Sequence, residues 1–148
     1  MRHQVEIREV GFESLSMIAG MNRHLFGEER VINRFDRPDL VMLVAYVDDV
    51  TAGFKIGYGA GGDLYYSAKG GVMEPYRRVG IARELLLELM ERARARNYRR
   101  FAFDTFPNVH VGMTLLAITE GFILTEVDSG EGSQEYRLRF VKDLGLDH

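Results

Sequence analysis

The stretch Val72-Met-Glu-Pro-Tyr-Arg-Arg-Val-Gly-Ile-Ala82 constrains the fold of this chain more than any other. A strand pattern runs into it, Pro75 ends that strand, and a tight turn at Gly80 opens the best-patterned helix of the sequence. Ile81, Leu85, Leu89 and Ala93 repeat at the spacing of one helix face, Leu86 and Met90 widen the stripe, and Glu88 can pair with Arg92 on the wet side. Asn97 supplies a stop. A helix this one-sided needs an apolar surface to lie on, and strand patterns flank it on both sides.

The rest of the chain supplies that surface. Val5 and Ile7 alternate with polar residues as a half-buried strand does, and Phe12 to Phe26 carries helical spacing that stops at Gly27. Residues 28–39 mix charges with Val31, Ile32 and Phe35 and read as a short second helix or a loop. Leu40 to Val47 and Thr51 to Tyr58 form the arms of a hairpin about Asp48-Asp49, and Leu64 to Met73 makes another strand with a weak point at Gly70-Gly71. Phe101 to Thr105 reads as a strand, Pro107 to Thr119 as a helix, and Phe122 to Val127 with Gln134 to Phe140 as a closing hairpin about the glycines of Asp128-Ser-Gly-Glu-Gly132. The expected order is βααβββαβαββ, an α/β (α+β) fold with a single mixed, mostly antiparallel central sheet and helices on both faces.

At 148 residues, one domain with one core over 1–148 is expected. Cysteine is absent, which excludes a disulfide framework, thiolate zinc sites and a cysteine nucleophile, and is compatible with a cytoplasmic setting. The first ten residues alternate charged and apolar side chains, so no secretory signal is expected there. No apolar run approaches the ~20 residues of a membrane span. Net charge is −3, and residues 1–75 hold 11 acids against 8 bases. Nucleic acid is disfavoured as a partner, because the one arginine-dense stretch, Arg92 to Arg100, reads as a solvated helix face and its C-terminal turn.

The turn before the strongest helix has a chemistry of its own. A helix start leaves its first N–H groups without intrahelical partners and carries the positive end of the macrodipole, so it attracts anions. Gly80 and Ala82 are small enough to let a phosphate approach the backbone, and Arg77 and Arg78 add charge. The stretch lacks the paired glycines, lysine and hydroxyl residue of a P-loop and the three glycines of a dinucleotide-binding fingerprint. An ordinary strand-to-helix connection is the alternative to an anion site.

On these residues the sequence resembles the Gcn5-related N-acetyltransferase (GNAT) family. The family's Arg-x-x-Gly-x-Gly/Ala core is matched by Arg77-Arg78-Val79-Gly80-Ile81-Ala82, with Val72 upstream, Asn108 after the next strand, and Gly121-Phe122 after the following helix. Pro75 falls one position later than the family's commonest spacing. The resemblance covers about residues 40–140 and implies acetyl-CoA as the acyl donor, with no metal. It implies that N–H groups from Arg78 to Ala82, Val79, Gly80 and Ile81 included, hold the pyrophosphate. It also implies that the strand at Val72 and Met73 pairs with the pantetheine arm, with the family's bulge near Gly70-Gly71. The implied reaction is direct attack by a primary amine of a small molecule or peptide, the thioester carbonyl lying between the Leu64–Met73 and Phe101–Thr105 strands.

Two family roles find no match. Ala117 stands where many members place the tyrosine that protonates the leaving thiolate, and no glutamate lies in the body of the Leu64–Met73 strand. His110, beside Asn108 at a helix start, is then the nearest titratable candidate by sequence, with a helix-cap histidine as the alternative. Asp104 reads as a strand-end cap or a ligand. Glu28 and Glu29 fall in the region that in the family faces the acceptor, so they can attract a cationic amine or serve as a solvated loop. Tyr58, Tyr65 and Tyr66 line a pocket or belong to the core. His3, His24 and His148 are too scattered for a metal site. A non-catalytic acyl-CoA-binding or interaction module is the alternative function, and a homodimer is left open.

Overall fold

The computed structural model describes residues 4–129 and 136–145. Strands β1 (Val5–Val10), β2 (Val41–Val47), β3 (Val50–Gly59), β4 (Leu64–Val72), β5 (Arg100–Thr105), β6 (Ile123–Asp128) and β7 (Arg137–Asp143) form one sheet, and helices α1 (Leu15–Phe26), α2 (Ile81–Ala95) and α3 (Val111–Thr119) lie against it. The strand order is β1-β2-β3-β4-β5-β7-β6. Every neighbouring pair is antiparallel except β4 and β5, which the α2 crossover makes parallel.

Strand alternation divides the apolar residues between two cores. Val41, Leu43, Ala45 and Val47 of β2 face α2 and join Ile81, Leu85, Leu89, Phe101 and Phe103, whereas Met42 and Val44 join Phe54, Ile56 and Ile18 beneath α1. The sheet is therefore covered on both faces. Residues of α2 read as its core face, namely Ile81, Leu85, Leu86, Leu89, Met90 and Ala93, are all buried, and Arg92 Nε donates to Glu88 at 2.9 Å.

Between β1 and β2 the chain forms one α-helix, preceded by a 3-10 turn at Phe12–Ser14, and not the two helices of the expected order. Gly27 stops α1 in the left-handed region, at φ 68°, with its N–H on the Arg23 carbonyl. The Asn22 side-chain amide then donates to the carbonyls of Glu28 at 2.9 Å and Arg30 at 3.3 Å, so these two carbonyls are satisfied without a helical ladder. Val31 and Ile32 are buried in the α1-side core, which anchors this loop.

One other boundary differs from the pattern. Helix α3 starts at Val111 and not near Pro107, because the N–H groups of Val109 and His110 both turn back to the Phe106 carbonyl. The bulge of β4 lies two residues before Gly70-Gly71: Ile56 pairs with Lys69 and Gly57 with Ser67, leaving Ala68 without a cross-strand partner. The two glycines answer a close approach instead. A Cβ on Gly71 would sit 2.7 Å from Leu25 Cδ1, where α1 ends against the strand. The glycines at 130–132 expected to turn the last hairpin lie outside the described residues, although β6 and β7 pair antiparallel as expected.

Candidate active site

The parallel pairing of β4 and β5 runs only from Leu64 opposite Arg100 to Ser67 opposite Phe103. Beyond that point β4 continues to Val72 and β5 to Thr105 without meeting, and the Ala68 bulge bends β4 away. The fork opens into a cavity of about 850 Å³. Its walls are the β4 edge from Ser67 to Val72, the start of α2, the end of β5 with Gly112, Met113 and Leu116 of α3, and the end of α1 at Leu25 and Phe26.

Of the residues singled out in the sequence, Val72, Arg77, Arg78, Gly80, Ile81, Ala82 and His110 come together on this cavity. Met73, Val79 and Asn108 are not on its wall. The Met73 N–H is committed to the Ala52 carbonyl at 2.7 Å, Val79 is exposed at the surface, and Asn108 sits exposed in the turn before α3. Gly80 caps α2 in the left-handed region, at φ 85°, and Arg78 is also left-handed, at φ 73°. No side chain caps this end, and Gly80 to Arg83 line the cavity, so the first N–H groups of α2 lie at its wall without intrahelical acceptors. Two left-handed residues separated only by Val79 make this a tight turn that leads directly into α2. Arg77 has a further duty: its Nε donates to the Val72 carbonyl at 3.0 Å and ties the turn to the end of β4.

The α1 side of the fork is the charged side. Lys69 forms an ion pair with Glu28 and lies over the Phe26 ring, 4.5 Å from its centroid. His110 packs edge-on against the same ring, with centroids 6.1 Å apart. Glu29 turns away from the cavity, its carboxylate held by Arg23 at 3.0 and 3.2 Å. Asp104 is neither an isolated cap nor a free ligand: it accepts from Tyr66 at 2.8 Å, Arg139 at 2.7 and 3.1 Å, and Arg137 at 3.2 Å. Burial alone would raise its carboxyl, but the hydrogen bonds from Arg139 and Tyr66 and the charges of both arginines hold it below the ordinary value. The Tyr66 hydroxyl is pushed up by burial and by the same hydrogen bond.

The α2 side holds the residue that sequence reading missed. Lys55 lies between Phe54 and Ile56, which both face α1, so its side chain points the other way, into the cavity and over Phe103. It is 6% exposed, and burial lowers its pKa to about 8. Ala117, in contrast, is fully buried in the α2-side core and does not border the cavity.

The acetyltransferase (GNAT) domain model matches residues 24–107, which include β2 to β5, α2 and the strand fork. The chain belongs to the GNAT acetyltransferase family. No sequence among the curated proteins matches it. Among solved structures it is similar to the ribosomal-protein-S18-alanine N-acetyltransferase from Escherichia coli, with a TM-score of 0.80, 16% identity, and 98% of this chain and 97% of that one covered. It is likewise similar to yncA from Salmonella typhimurium with its cofactor acetyl-CoA, at a TM-score of 0.76, 14% identity and coverage of 95% and 94%. A Bacillus anthracis structure in complex with acetyl coenzyme A gives a TM-score of 0.78 at 17% identity, covering 95% of this chain and 98% of that one. At these identities the likeness is one of fold. Among the described residues no helix is long and apolar enough to cross a membrane.

Proposed function

We propose that the chain is an N-acetyltransferase that moves acetyl from acetyl-CoA to a primary amine of a small molecule or peptide, by direct attack in a ternary complex. The observation that carries this reading is the fork: β4 loses its β5 partner after Ser67, and the opening leads to the start of α2 at Gly80, which no side chain caps. The N–H groups from Gly80 to Ala82, with Arg78, would take the pyrophosphate. The β4 edge between Ala68 and Val72, left by β5, would pair with the amides of the pantetheine arm. The thioester would then lie at the apex, where a β4 N–H can polarise its carbonyl. The acceptor would approach from the α1 side, past Glu28, Lys69 and His110. His110 borders that approach and can serve in proton transfer, while Asn108 in the same turn would act by positioning.

One observation favours the non-catalytic reading: residue 117 carries no hydroxyl and is fully buried away from the cavity. A single experiment separates the two. Acetyl-CoA is tested for thermal stabilisation of the protein and for thiol release across a panel of small amines and peptide N-termini. Amine-dependent release supports the transferase. Stabilisation without release supports the binding module, and neither effect would overturn both.

A further inference from the structure

We propose that Lys55 is the acid that protonates the departing thiolate, an inference that rests on acetyl-CoA occupying the β4–β5 fork as proposed above. Its position is built by the sheet. Lys55 of β3 is paired with Gly70 of β4, and a Cβ at Gly70 would stand 3.2 Å from Lys55 Cγ and 3.4 Å from Nζ. The missing side chain at residue 70 leaves the lysine a passage beneath β4. Its Nζ ends 5.8 Å from the centroid of Phe103, the last β5 residue to pair with β4 before the fork opens. The amine therefore reaches the cavity wall near the apex of the fork from a third strand.

Its surroundings are unusual for a lysine. The other two lysines of the chain have oxygen partners, Lys69 in Glu28 and Lys142 in the Glu120 carbonyl. Lys55 is 6% exposed and forms neither a hydrogen bond nor an ion pair with any described residue. The charged and titratable groups that share its cavity are engaged elsewhere or sit apart. Glu28 holds Lys69, Asp104 holds Arg139, Arg77 is tied to Val72, and Arg83 pairs with Glu120. Tyr76, Arg78 and His110 line the wall without touching it. Burial is the one cause of its lowered pKa, so no neighbouring carboxylate compensates the charge. A cation largely withdrawn from solvent and without a counter-ion on the cavity wall is poised for an anion that forms there.

The chemistry balances. The amine nitrogen forms its bond to the acetyl carbonyl carbon, the C–S bond breaks, and the electron pair leaves on sulfur. Lys55 gives that sulfur a proton and becomes neutral, the new amide nitrogen loses its extra proton to water, and water returns a proton to Lys55. A lysine pKa of about 8 lies close to the roughly 8.5 of an ordinary thiol, so the transfer runs with little driving-force penalty. No tyrosine at residue 117 is needed.

The test compares wild type with Lys55→Met and Lys55→Arg. Acetyl-CoA binding is read by titration calorimetry, and kcat over pH 6–10 with any amine of the panel that is acetylated. Binding should persist in both variants, while kcat should fall at least about tenfold in Lys55→Met. The decline of wild-type rate above about pH 8 should vanish with the lysine, a change that looser packing would not produce. Wild-type rates and an unchanged pH profile in Lys55→Met would overturn the proposal and leave the transferase reading standing. Loss of the alkaline decline in His110→Ala instead would also overturn it, as would acetyl-CoA binding with no amine turned over. If wild type binds no acetyl-CoA, the occupancy of the fork fails, and this inference with it.

Discussion

Replacing Lys55 with methionine should make the protein more stable, by an amount that depends on pH. The lysine is 6% exposed and without an anion, and its pKa falls from 10.5 to about 8. At ~1.4 kcal/mol per unit, holding it charged in the folded state costs about 3 kcal/mol. Because the folded value lies below the unfolded one, the unfolded chain binds this proton more tightly. The cost is complete below pH 8, shrinks as pH rises toward 10.5, and is absent beyond it. Loss of the contact with Phe103 returns roughly 0.5–1 kcal/mol, and methionine fills a comparable volume. The net gain near pH 7 is about 2 kcal/mol, or a Tm higher by roughly 4–8 °C in a domain of this size. Urea denaturation of both proteins at pH 7 and pH 10.5 measures it. A difference of the same size at both values, or a wild type more stable at pH 7, would refute the account of Lys55 as a buried, uncompensated cation.

Three further outcomes follow from the same geometry. Asp104→Asn should cost about 1–3 kcal/mol near neutral pH, because Arg139 and Tyr66 lose a carboxylate that is 12% exposed, and the partly exposed arginines keep the loss below that of a fully buried pair; since that carboxyl titrates below its ordinary 3.8, the gap to wild type should close as pH falls through and below that value in acid denaturation. Ala117→Tyr should lower Tm by at least several degrees, since a ring forced into a fully buried site overpacks the core by about 1–3 kcal/mol or more, and it should not supply a proton donor to the cavity. Glu28→Gln should raise KM for a cationic amine acceptor several-fold, whereas Glu29→Gln, whose carboxylate is held outward by Arg23, should leave it unchanged in the same kinetic assay.

Legibility in the sequence tracked how local each determinant was. The helix face of α2, the stop at Gly27 and the turn at Asp48-Asp49 are set by neighbours a few residues away, and all three are found where the pattern places them. The start of α3 was misplaced because helical composition begins at Pro107, while the Phe106 carbonyl captures two N–H groups in a tighter turn. The bulge lies near Gly70-Gly71 as expected, but the unpaired residue is Ala68, and the glycines yield to α1 and to Lys55. Lys55, by contrast, escaped. In an alternating strand a lysine between Phe54 and Ile56 reads as the wet face, and only the packing of α2 over that face of β3 buries it. A charged residue in a strand destined to be buried on both faces is the signal that was available.

The central claim is that acetyl-CoA is held in the β4–β5 fork against the Gly80 turn. Its most direct measurement is the thermal shift given by saturating acetyl-CoA in wild type and in Gly80→Asn. A Cβ at residue 80 meets nothing of the protein within 4 Å, and asparagine tolerates a φ of 85°, so the variant should fold while its side chain stands at the cavity wall where the pyrophosphate would lie. At a hundredfold excess over Kd, wild type should gain about 2.7 kcal/mol, roughly 5–11 °C in Tm, and Gly80→Asn should lose most of that shift. An equal shift in both proteins, or none in wild type, would contradict the claim.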